Sequence, residues 1–278
     1  MRARSLRGVV FDLDGCLVKG QRAIPGAAEV VALLRERSVT VRYFTNDSSK
    51  TPAETARRLS QAGISAHPRE VLTSAIVAAG YASRAHPGGR VLAVGGPALR
   101  SALEEAGLCL VDDESAEVVV VGRDPEFSYA KLEVACRAVW GGAVFIATNR
   151  DRRVPVSDGF VPGTGAIVSA IAWATNRRPK VTGKPSVLAA RAAVEALGLD
   201  ADQVVVVGDG LDQDVRMGKA VGARAVLVLS GASRREDAEH APARYRPDAV
   251  LADVTGLPEW MERQREPIAT RASSKRAS

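Results

Sequence analysis

Two aspartates, Asp12 and Asp14, stand directly after the apolar run Gly8-Val9-Val10-Phe11 and on either side of Leu13, with Gly15 following. Such a run reads as a buried parallel strand whose C-terminal end leaves the sheet carrying charge. In open α/β sheets that edge is where ligands bind. Two acids there can hold a hard cation, attack an electrophile or shuttle a proton. Three more polar clusters stand in comparable places. Thr45-Asn46 follows the run from Val39 to Phe44, Lys184 lies just before a helix in Gly183-Lys184-Pro185-Ser186, and Asp209 and Asp214 follow the four valines 204 to 207.

If these strands are parallel, the strand-end clusters share one sheet edge, and Lys184 can join them from its helix start. Carboxylates with a lysine and a hydroxyl suit Mg²⁺ and a phosphoryl group. Magnesium prefers oxygen ligands and lowers the repulsion between an anionic nucleophile and an anionic phosphate. Lys184 supplies a point charge, and Thr45 with nearby backbone amides can donate to equatorial phosphate oxygens. Transfer to an aspartate divides one hard hydrolysis into two easier steps. Other chemistries lack their residues. No G-x-S-x-G, H-E-x-x-H or C-x-x-C occurs, and Gly183-Lys184 lacks the upstream glycine of a Walker A loop. The three histidines stand away from the strand ends, which leaves general base work to carboxylates.

The elements that must position these residues alternate along the chain. Apolar residues at Ala27, Val30, Val31 and Leu34 have helical spacing, with Pro25 suited to the first turn. Thr51-Pro52-Ala53-Glu54 is a capping box, and Gly63 stops the helix that follows. The series is βαβα, the signature of a parallel sheet with right-handed crossovers. A helix is expected over 68–85, followed by the breaker His86-Pro87-Gly88-Gly89. Strand-like runs at 91–94, 118–121 and 143–147 then alternate with helical stretches at 98–106 and 129–140. Pro162-Gly163-Thr164-Gly165 opens a helix to Thr175, and Arg177-Arg178-Pro179 reads as a return linker. The last section repeats the first: Ser186 caps a helix stopped by Gly198, and strands are expected at 204–207, 225–229 and 249–251. Past Met261 periodicity ends.

At 278 residues the chain has room for two cores. Its net charge of +6 sits in the ends: Arg2, Arg4 and Arg7 give half, and residues 261–278 the other half. Aromatics are sparse, so the basic ends read as solvated tails and not as a nucleic-acid surface. Cys16, Cys109 and Cys136 form no framework of disulfides, which favours a reducing, cytoplasmic setting, with Cys16 as a small buried filler. No apolar run has the ~20 residues of a membrane span.

With these motifs in order, the sequence resembles the phosphatases of the haloacid dehalogenase (HAD) superfamily, subclass IIA. Asp12-Leu13-Asp14-Gly15 matches the first motif, Thr45-Asn46 the second, Gly183-Lys184-Pro185 the third, and Gly208-Asp209 through Asp214 the fourth. Phe127 to Leu132, Phe145 to Asn149 and Pro162 to Gly165 extend the match, which runs from Gly8 to about Trp260. The resemblance implies an α/β HAD-like Rossmannoid core with a parallel sheet, formed by 1–85 and 179–262. An inserted smaller α/β cap at 86–178 closes over the substrate, and 263–278 is a disordered basic tail. It implies Asp12 as the nucleophile of an aspartyl-phosphate and Asp14 as general acid/base. Mg²⁺ is placed on the Asp12 carboxylate, the Asp14 carbonyl, Asp209 and Asp214, and the phosphate on Thr45, Asn46 and Lys184.

The expected substrate is a small phosphorylated metabolite, without nucleic-acid or membrane partners, and relatives often dimerise through the cap. Within Asn149-Arg150-Asp151-Arg152-Arg153, Arg150 is the candidate for gripping a second anionic group, against a plain solvated loop. The family commonly has a basic or polar residue where Gly210 stands, Thr or Ser at Gln213, Thr or Val at Cys16 and asparagine at Asp47. Two other readings compete. Mutase-type transfer within a sugar phosphate is disfavoured by the large insert, and a silent phosphate-binding module by retention of both Asp12 and Asp14. A receiver domain gathers similar residues, but at about half this length and without a cap.

Overall fold

The computed structural model describes residues 5–156 and 159–265. The chain divides into two units, one of residues 1–42, 61–65 and 194–278, the other of residues 43–60 and 66–193.

In the first unit, parallel strands lie in the order Ala249–Leu251, Arg224–Val228, Val204–Gly208, Gly8–Phe11. The valine run and Gly8–Phe11 are buried along their whole length, as β-branched strands covered on both faces should be. Their register sets up everything that follows: Phe11 pairs with Val207, and one step on, the Asp12 amide donates to the Val207 carbonyl at 2.8 Å. Past Asp12 the chain turns, with Gly15 at φ +88° and the Leu13 carbonyl accepting from Leu17 and Val18 at 2.9 and 3.0 Å. It leaves as a short antiparallel hairpin, Val18–Lys19 with Arg22–Ala23.

The helix Ala27–Glu36 buries Ala27, Val30, Val31 and Leu34, the expected stripe. Pro25 stands outside it, because the helix starts only after Gly26, whose φ of +81° turns the chain into it. The strand Thr40–Thr45 comes next to Gly8–Phe11 in the sheet order, and the chain passes to the second unit at Tyr43.

The second unit carries five parallel strands in the order Lys180–Val181, Val144–Ala147, Val118–Val121, Arg90–Val94, Cys109–Val111. Alternation splits Val118–Val121 between two cores. Val118 and Val120 pack with Ile146, Leu99 and Leu103 beside residues of the helix Ser74–Ala85. Val119 and Val121 pack on the opposite side with Ala135, Val139, Val168 and Ile171, from the helices Tyr129–Trp140 and Thr164–Thr175. The helix Pro52–Gln61 begins in the expected capping box: Thr51 N donates to Glu54 Oε2 at 2.8 Å and Glu54 N to Thr51 Oγ1 at 3.2 Å. Ser186 caps Val187–Leu197 through a 3.1 Å bond from Ala189 N.

Several expectations fail locally. Residues 68–85 are not one helix: a short 3₁₀ turn, Pro68–Glu70, leads to a strand, Val71–Thr73, which pairs with Tyr43 to Thr45 before the helix Ser74–Ala85 begins. By contrast, the helix expected to open at Pro162-Gly163-Thr164-Gly165 and run to Thr175 is present as Thr164–Thr175, with Pro162 closing an antiparallel hairpin, Arg153–Val156 with Gly159–Pro162. Lys180–Val181, just past the expected linker, is a strand. The helix Leu257–Arg265 continues the periodicity beyond Met261, through the first three residues of the expected tail; 266–278 lie outside the described residues, as do Arg2 and Arg4. Among the described residues no helix is long and apolar enough to cross a membrane.

Candidate active site

Two polar groupings emerge, one in each unit. In the first, carboxylate oxygens of Asp12, Asp209 and Asp214 all lie within 4.8 Å of one another. The strand register explains the first two, for Asp12 and Asp209 each stand one residue past paired parallel strands. Asp214 comes back to them because Leu211–Val215 winds as a single π-helical turn, and its Oδ2 accepts from Gly210 N at 3.0 Å. Asp209 Oδ2 accepts from Ala232 N at 2.6 Å. Asp209 and Asp214 are 8% and 2% exposed, so mutual repulsion is little screened by water. Three acidic oxygen donors this close fit a hard divalent cation of the Mg²⁺ type, and Asp12, Asp209 and Asp214 are the residues that would hold it. Asp14 stands on the exposed turn, two residues past Asp12, and Asp212 is exposed as expected of a surface residue. Cys16 is fully buried, with its thiol 3.6 Å from the Val207 carbonyl.

The second grouping joins Thr45, Asn46 and Lys184. Asn46 Oδ1 accepts from the Lys184 amide at 2.9 Å, and Asn46 Nδ2 donates back to the Lys184 carbonyl at 3.2 Å. The Asn46 carbonyl accepts from Ser74 Oγ and from Asn149 Nδ2, both at 2.7 Å. Thr45 Oγ1 accepts from Asp47 N at 3.0 Å, and Lys184, only 3% exposed, has Nζ 3.4 Å from the Phe44 carbonyl. Asp47 turns inward on its own loop: its Oδ1 accepts from the amide and hydroxyl of Ser49 at 2.9 and 2.6 Å. Two hydrogen bonds from Ser49 thus hold the Asp47 carboxylate on its own loop.

Asn149, Asp151 and Ser74 were not singled out by sequence as site residues. Asp151 accepts from Asn46 Nδ2 at 3.3 and 3.4 Å and is itself fixed by a 3.0 Å bond from its amide to Asn149 Oδ1. The signal available was Thr148-Asn149, a second polar pair directly after an apolar strand, in the same form as Thr45-Asn46. Arg150, between them, is exposed, and Arg153 stacks over the Phe160 ring at 4.0 Å across the hairpin.

Comparison with known proteins agrees with this geometry. A haloacid dehalogenase-like hydrolase model matches residues 9–109, and a second HAD-hydrolase-like model matches residues 181–257. An acid sugar phosphatase of Staphylococcus epidermidis is 40% identical over 82% of this chain and 88% of its own. The chain belongs to the haloacid dehalogenase-like hydrolases. Within that family it is a phosphatase of subclass IIA. The p-nitrophenyl phosphatase from Archaeoglobus fulgidus superposes with a TM-score of 0.86 at 36% identity, covering 92% of this chain and all of that one. A glycerol phosphate phosphatase from Mycobacterium tuberculosis, solved with magnesium, gives 0.86 at 32% identity, covering 91% of this chain and 77% of that one. This HAD phosphatase accordingly carries the family's parallel α/β architecture.

Proposed function

We propose that this HAD phosphatase is a Mg²⁺-dependent hydrolase of a small-metabolite phosphomonoester, working through an aspartyl-phosphate on Asp12. The observation that carries the reading is the convergence of the Asp12, Asp209 and Asp214 carboxylates at the ends of two adjacent parallel strands, with Asp14 exposed on the turn beyond. Asp12 Oδ attacks phosphorus and the bond to the ester oxygen breaks, while Asp14 delivers a proton to that oxygen. Asp14 then takes a proton from water, which attacks the phosphorus, releases phosphate and returns Asp12 to its carboxylate. Asp12, the Asp14 carbonyl, Asp209 and Asp214 are the proposed metal ligands; bound there, Mg²⁺ supplies charge neutralisation between nucleophile and phosphate.

Thr45, Asn46 and Lys184 are the proposed phosphate-holding groups, and the buried Asn46–Lys184 pairing supports this by fixing the lysine backbone. The 86–178 block is proposed as the cap, with Arg150 contacting the part of the substrate beyond the phosphate, and as the surface of a homodimer. Relatives named for acid sugar and glycerol phosphate support a phosphorylated sugar or polyol as the substrate class. The free cysteines, Cys16 and Cys136 buried, support a reducing cytoplasmic location.

The test is phosphate release from a panel of sugar, polyol and nucleotide monophosphates with Mg²⁺, on wild type and Asp12→Asn. Release by wild type alone is expected; no release from any ester while Mg²⁺ is bound sinks the hydrolase reading.

A further inference from the structure

We infer that the loop Ser230-Gly231-Ala232-Ser233 is a positioning element for the acid cluster, fixing Asp209 and the nucleophile turn with respect to one another; this rests on the metal-dependent reading above.

The loop follows the strand Arg224–Val228 and is bonded to Asp209, to Leu211 and to the Gly15 turn. Ala232 N donates to Asp209 Oδ2 at 2.6 Å, which orients the carboxylate. Ser233 N donates to the Asp209 carbonyl at 3.1 Å, and Ser233 Oγ accepts from Leu211 N at 3.0 Å, so the backbone on both sides of Gly210 is held. Ser230 Oγ donates to the Gly15 carbonyl at 2.6 Å, tying the loop to the turn that carries Asp12 and Asp14.

Close approach makes the arrangement specific to glycine. A Cβ on Gly231 would lie 1.9 Å from Asp209 Oδ2, and one on Gly15 would lie 2.2 Å from the same atom. The Asp209 carboxylate is thus flanked by two bare α-carbons. Gly231 has no positive φ, so an alanine there meets no backbone penalty and acts only by displacing the carboxylate. The hydrogen bonds of these residues go to Asp209, Leu211 and the Gly15 turn, and it is through these that they act.

Mg²⁺ titration of the full chain by calorimetry, with Mn²⁺ EPR as a spectroscopic check, tests the inference on Ser230→Ala, Ser230→Thr and Gly231→Ala. Releasing the nucleophile turn from the loop in Ser230→Ala, or displacing the Asp209 carboxylate in Gly231→Ala, should raise the Mg²⁺ Kd about 10- to 100-fold, with an altered Mn²⁺ spectrum. Ser230→Thr, which keeps the hydroxyl, should stay within about 3-fold of wild type, and the metal-free melting temperature of Ser230→Ala should not move by more than about 2 °C. If Gly231→Ala fails to fold, the two Ser230 variants decide. Mg²⁺ Kd values within about twofold of wild type in Ser230→Ala overturn the inference while leaving the phosphatase reading intact. A wild type that binds no Mg²⁺ and releases no phosphate overturns both.

Discussion

Asn46 and Lys184 hold each other in both directions, Oδ1 accepting from the lysine amide and Nδ2 donating to the lysine carbonyl, across 138 positions of sequence. One amide side chain thereby sets the position of the residue whose charge the proposed chemistry needs. Asn46→Ala removes both bonds and leaves buried backbone groups of Lys184 without them, a loss of about 1–3 kcal/mol. Steady-state kinetics should show KM for the phosphoester rising and kcat/KM falling at least about 10-fold, while circular dichroism keeps its wild-type form.

The two acids of the first motif should separate by role. Asp12→Asn should lower kcat by at least about 10³-fold, since no covalent intermediate can form. Asp14→Asn should cost about 10²–10⁴-fold, the range of one general acid or base, and should still accept label at Asp12 from a substrate with a good leaving group such as p-nitrophenol. Rapid-quench trapping of the phosphorylated chain distinguishes them; equal, complete loss of trapping in both variants contradicts the assignment.

Metal removal is expected to act through the same carboxylates. Chelation should abolish turnover, Mg²⁺ should restore it, and Asp209→Asn should weaken Mg²⁺ binding by more than about 100-fold as read by calorimetry. The repulsion among the three acids also implies that Asp209→Asn is more stable than wild type when both are metal-free. A differential scanning measurement with chelator present checks this sign.

Asp248 supplies a pH prediction far from the chemistry. Burial pushes its carboxyl up, but bonds from Lys219 Nζ at 2.6 Å, Ala225 N at 2.8 Å and Arg224 outweigh burial and hold it below the usual carboxylate range. A folded-state value below the unfolded one means that the ionised side chain contributes stability above about pH 3.9, lost as pH falls through the folded value. Asp248→Asn should therefore destabilise by about 1–3 kcal/mol at pH 7, and denaturant midpoints of variant and wild type should converge in acid below about pH 3.9.

Ile146 tests the second unit's core. It is fully buried between Val118, Val120 and the Ser74–Ala85 side of the sheet, and Ile146→Ala should cost about 2–5 kcal/mol in a denaturant titration.

The acid cluster was legible because charge directly after Gly8–Phe11 and after four valines has few structural explanations. The switch from apolar run to carboxylate marks both the element and its functional end. Asp151 and Ser74 were not legible in this way, since their meaning lies in bonds to Asn46 from 105 and 28 positions away. Val71–Thr73 was lost inside a helical expectation because three residues are too few to display a period of two, and its extended form is imposed by pairing with Tyr43 to Thr45. Cys109–Val111 escaped for the same reason: a half-exposed edge strand has neither the burial nor the length that makes a strand visible. Pro25 misled by two residues because Gly26, in the left-handed region, takes over the start of the helix at Ala27.

The valine run Val204–Gly208, buried throughout and paired on both sides, carries Asp209 at its tip. Amides in such a strand exchange with solvent only when the whole unit opens. Warming should therefore loosen the rim of this enzyme long before its carboxylates part, and activity measured near the melting temperature should vanish together with the slowest-exchanging hydrogens and not ahead of them.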